Sequence, residues 1–67
     1  MISYAPFWKT LENSVETTYS LIEKHHINST TIARLRHNKP VTTTTLNDLC
    51  LILDCDLSDI VEFIPEK

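Results

Sequence analysis

Apolar residues recur along this chain at helical intervals, separated by short polar punctuation. Pro6 suits the first turn of a helix, and Phe7, Trp8 and Leu11 then form an apolar stripe that ends near Asn13. Thr17 caps a second predicted helix carrying Tyr19, Leu21 and Ile22, with Lys24 and His25 at its C-terminal end, where positive charge suits the helix dipole. Asn28 caps a third, with Ile32 and Leu35 turned inward; Asn38 suits a left-handed C-terminal position and Pro40 blocks continuation. Thr42 caps a fourth, in which Leu46, Leu49, Cys50 and Leu53 follow the i, i+3, i+4, i+7 spacing of one buried face. Asp56, with Asp59 three residues later, marks a fifth start, and Leu57, Ile60, Val61 and Ile64 repeat that spacing up to Pro65. No long stretch alternates with period two. The expected fold class is therefore all-α, a compact bundle of five short helices in one domain over residues 1–67.

Composition narrows the function classes. A chain of 67 residues leaves no room for a second domain or a large enclosed active site. It contains no glycine, which excludes the P-loop and dinucleotide-binding loops, whose backbones approach phosphate only where no Cβ intervenes. The longest unbroken apolar run, Leu49 to Leu53, is far short of the ~20 residues that span a membrane, so no membrane partner is expected. The two cysteines and the lack of an apolar leader predict a reducing, cytoplasmic location. Cys50 and Cys55 read as small apolar packing residues, and together with His25, His26 and His37 they do not match zinc-ligand spacing. No metal, cofactor or small-molecule ligand is expected. No nucleophile has a recognisable base and orienter, and capping and solubility account for Asp54, Asp56 and Asp59, so the chain does not read as an enzyme.

Charge changes the picture more. The formal net charge of −3 counts against a nucleic-acid partner until it is resolved along the chain. From Lys24 to Asn47 the charged residues are Lys24, Arg34, Arg36 and Lys39 with no acid, and the three histidines lie within the same stretch. From Asp48 onward Lys67 faces Asp48, Asp54, Asp56, Asp59, Glu62 and Glu66, so the C-terminal part carries −5. The central segment is a local electrostatic footprint for a polyanion.

Within that segment the second helix, a tight turn and the third helix, about residues 17–37, resemble the helix-turn-helix of lambda-repressor-like, Cro-type regulators. Leu21 and Ile22 fall where the motif has an apolar and then a small residue, His26 at the turn, Ile27 just after it, and Ile32 and Leu35 on the inner face of the second motif helix. The flanking helices extend the resemblance to nearly the whole chain. His26 stands where the family usually has glycine and is expected to take a positive φ, which histidine tolerates better than most residues. Ile22 is bulkier than the alanine usual at the helix crossing.

The resemblance implies sequence-specific binding of double-stranded DNA by a small transcriptional regulator, its recognition helix, residues 29–37, in the major groove. Asn28, Ser29, Thr30, Thr31, Ala33, Arg34 and His37 are then the base-reading candidates, with Arg34 foremost because guanidinium bonds guanine bidentately. Thr17, Thr18, Arg36 and Lys39 are the phosphate-holding candidates. A lone short module contacts few base pairs, so a homodimer spanning two half-sites is expected, with Ile2, Tyr4, Phe63 and Ile64 as candidate contacts. The alternative is a protein-interaction module, antitoxin-like or an anti-repressor subunit, that keeps the fold and uses its acidic C-terminal half. On the alternative, Arg34 and Arg36 serve only to pair with acids of the terminal segments.

Overall fold

A computed structural model describes residues 1–66 of the chain. Four α-helices carry the fold: α1 (Ala5–Glu12), α2 (Thr18–Glu23), α3 (Ser29–Arg36) and α4 (Thr43–Leu53). Strand β1 (Ile2–Ser3) precedes them, and a single 3-10 turn (Leu57–Asp59) and strand β2 (Glu62–Phe63) follow. Four of the five helices expected from the sequence form, three of them with the expected side-chain caps. Thr17 accepts from the Ser20 N–H while the Ser20 hydroxyl accepts from the Thr17 N–H, a reciprocal capping box. Asn28 Oδ1 accepts from the Thr30 N–H at 2.7 Å, and Thr42 Oγ1 from the Thr45 N–H at 3.2 Å.

The fifth helix does not form. Asp56 and Asp59 build a capping box, but one 3-10 turn follows and the chain then straightens into β2. The apolar spacing there misleads because only Ile60 is fully buried, while Leu57 and Ile64 are exposed, so no continuous helical stripe finds a core to cover. β-Branched and aromatic residues suit extended backbone, and β1 supplies the partner: Ile2 pairs with Phe63 and Ser3 with Glu62, antiparallel.

The core holds Phe7, Leu11, Leu21, Ile27, Ile32, Leu35, Leu49 and Ile60, drawn from every helix and from the C-terminal segment. Tyr4 also joins it, which removes that residue from the candidate dimer contacts. Three of the described residues, none of them glycine, hold positive φ, His26 at 58°, Asn38 at 55° and Asp54 at 50°. Asn38 does more than end α3: its Oδ1 accepts the Tyr4 N–H at 3.0 Å, satisfying a free donor at the start of α1, whose own cap residue makes no side-chain bond. No helix among the described residues is long and apolar enough to cross a membrane.

Candidate nucleic-acid interface

The candidate interface is built outward from the turn between α2 and α3. Ile27 closes that turn by donating its N–H to the Leu21 carbonyl at 2.9 Å and burying its side chain, while His26 takes the left-handed conformation between them. Leu21 on α2 and Ile32 and Leu35 on α3 are buried in one hydrophobic core, which both helices share. Ile22 is half-buried and packs against the same core.

With Ile32 and Leu35 inward, the 100° advance per residue places Ser29, Thr30, Ala33, Arg34 and His37 within an arc of about 140° on the far side of α3. All five are exposed. Thr31 lies at the edge of this face and is half-buried. Asn28 is exposed; its Oδ1 accepts the Thr30 N–H, which leaves its amide nitrogen and the second lone pair of Oδ1 to meet a ligand. Among the described residues the one basic side chain within salt-bridge distance of a carboxylate is His25, beside Glu16, so neither Arg34 nor Arg36 is tied to a carboxylate of those residues.

Arg36 and Lys39, expected together at phosphates, have different surroundings. Lys39 is exposed in the loop after α3, its N–H closing the helix end onto the Arg34 carbonyl at 2.8 Å. The Arg36 guanidinium lies 4.6 Å over the Trp8 ring of α1, and the Trp8 Nε1 donates to the Leu35 carbonyl at 3.4 Å. Trp8 thus braces the C-terminal end of α3, while it meets Phe7 edge-on at 4.8 Å. Thr17 and Thr18 stand at the start of α2, Thr17 exposed and Thr18 half-buried; the Thr17 hydroxyl oxygen caps the helix.

Two features escaped the sequence reading. Tyr19 is not an inward residue of α2 but stands 72% exposed beside Thr17 and Thr18. The signal was present, since two helical positions separate it from Leu21 by about 200°. Lys24 and His26 are also exposed, around the turn. On the inner side of the turn, the Glu16 carboxylate accepts the Ser20 hydroxyl at 2.7 Å and faces His25 Nε2 at 3.3 Å. The Ser20 hydrogen bond, with His25 beside it, holds the Glu16 carboxyl below its ordinary value.

No group of three or more metal-ligating side chains gathers among the described residues. The profile of the Cro/C1-type HTH DNA-binding domain family matches residues 8–66 of this chain. The crystal structure of the transcriptional regulator VanUg, form II, is similar with a TM-score of 0.84 and 35% identity, covering 97% of this chain and 87% of that one. Comparison with curated proteins finds no match.

Proposed function

Because the chain belongs to the Cro/C1-type HTH DNA-binding domain family, we propose that it binds double-stranded DNA sequence-specifically as a small transcriptional regulator, with α3 in the major groove. One observation carries this reading: the outer face formed by α3 and its C-terminal cap residue His37 is exposed, free of acids, and includes an Arg34 with no carboxylate of the described residues within salt-bridge distance. Arg34 reads a guanine edge. Ser29, Thr30 and His37 contribute polar contacts, the Ala33 and Thr31 methyl groups meet thymine methyls, and the Asn28 amide reaches the groove from the helix start.

Register comes from the backbone contacts. Thr17, Thr18 and Lys39 hold phosphates, joined by the exposed Tyr19 hydroxyl and Lys24. Arg36 adds its charge from a position set by Trp8. The functional species is a homodimer in the cytoplasm, since one α3 spans few base pairs and two-fold symmetric half-sites supply the rest. Exposed Ile2, Phe63 and Ile64, on or beside the two short strands, are the candidate contacts between copies.

Selection from a random double-stranded library, followed by sequencing of the retained DNA, tests the reading. A motif with two related half-sites supports it. Retention of no DNA at low salt overturns it and transfers the function to a protein partner of the acidic C-terminal half.

A further inference from the structure

The C-terminal end of α4 brings together the only two cysteines of the chain, Cys50 and Cys55. The helix stops because Asp54 turns left-handed at φ 50°, ψ 56°, and the Asp54 N–H bonds the Cys50 carbonyl. The next N–H, that of Cys55, also reaches the Cys50 carbonyl, at 3.1 Å. The six-to-one bond from Cys55 is the one found in the Schellman motif, and the five-to-one bond from Asp54 is that of the simpler left-handed cap; a side-chain contact near the two ends of the long bond frequently accompanies such a helix end. The residues at those two ends are here both cysteines. Each is a free thiol, half-buried, and each packs against the hydrophobic core.

We propose that Cys50 and Cys55 form an intrachain disulfide, a reversible oxidative modification that staples the end of α4 to the segment leading into the 3-10 turn. A disulfide requires Cα atoms within about 4.4–6.8 Å and converging Cβ vectors. The backward bond from Cys55 to Cys50 holds the two backbones close, which meets the first of these requirements. The state of Cys55 agrees with this closeness: burial first, and then the adjacent Cys50 thiol, push its pKa up to about 11. At neutral pH the Cys55 thiol is therefore almost entirely protonated.

The oxidant is a low-molecular-weight disulfide. One cysteine, as thiolate, attacks a sulfur of that disulfide, expelling one small thiolate and leaving a mixed disulfide on the protein. The second cysteine loses its proton to solvent and attacks the protein-side sulfur, expelling the second small thiolate. Two protein thiols are oxidised to one disulfide, and the oxidant is reduced to two thiols. The pair lies on α4 and the segment after it, so the staple adds no covalent bond to α2 or α3.

The test incubates the folded 67-residue protein with glutathione disulfide and reads intact mass under non-reducing conditions. Wild type is expected to lose the mass of two hydrogen atoms and to carry no glutathione. Cys50→Ser and Cys55→Ser should each keep one glutathione, which shows that either thiol can be reached. The native fold must favour closure, so at equal glutathione ratios the closed fraction should be higher in buffer than in urea, and the oxidised protein should melt at higher temperature than the reduced one. Wild type that accumulates glutathione adducts or disulfide-linked dimers overturns the proposal. Closure that is favoured only in urea, or oxidation that lowers the melting temperature, also overturns it, since the native geometry would then resist the bond.

Discussion

His26 holds a φ of 58° with a Cβ, where a left-handed backbone costs a non-glycine residue roughly 1–2 kcal/mol. Glycine would relieve that strain but would lose about 0.5–1 kcal/mol to the greater freedom of the unfolded chain. The relief wins narrowly, so His26→Gly is expected to raise the urea midpoint slightly without changing the slope of the transition, whereas His26→Val should lower it clearly. Arg34 is the residue on which recognition turns. Its replacement in Arg34→Ala should cost about 1–3 kcal/mol of discrimination at one base pair and relax the preference there. A site selection that returns the wild-type motif from this variant would remove Arg34 from the reading helix.

At the scale of elements, α2 is only six residues long and depends on its ends. Thr17→Ala removes one side of the capping box and should cost about 1 kcal/mol in urea unfolding. Glu16 links the residue before that cap to the turn after α2, through Ser20 and His25. Its pKa is lowered in the folded protein, so its contribution is present above the ordinary carboxyl value and is lost as pH falls through the lowered one. Glu16→Gln is therefore expected to lower stability at pH values above that range, to change little below it, and so to flatten the acid limb of the stability profile. Thermal melts across the acid range measure this directly, and an unaltered acid limb would count against the contact.

For the whole molecule, a domain of this size has roughly 3–5 kcal/mol of stability, and truncating a buried leucine costs about 2–5 kcal/mol. Leu35→Ala, at a site with no exposure at all, should therefore leave a large unfolded fraction at room temperature, seen as lost helical circular dichroism. The electrostatic counterpart concerns DNA. Each neutralised phosphate adds about 0.9 to the slope of log affinity against log salt, so Lys39→Ala should lower that slope by about one per protomer while weakening all sequences alike. A slope indifferent to Lys39 would place that side chain off the backbone.

Much of this arrangement was legible in the chain itself. Thr17, Asn28 and Thr42 announced their helices because a hydroxyl or amide oxygen two or three residues ahead of free N–H groups acts locally, whatever the rest of the fold does. Leu21, Ile27, Ile32 and Leu35 fixed the inner side of the two-helix unit, and by elimination the exposed face of α3, since helical spacing alone decides which side chains share a side. The tertiary structure decided the rest. The segment after Asp56 became a turn and a strand because Ile2 and Ser3, some 60 residues away, offer a ladder partner and because the core accepts Ile60 but not Leu57 or Ile64. Arg36 met Trp8, and Asn38 met the Tyr4 N–H, through pairings between α1 and the end of α3 that no local spacing encodes. Local hydrogen bonds and side-chain periodicity are properties of neighbouring residues; which remote surface completes a face is settled only when the elements pack.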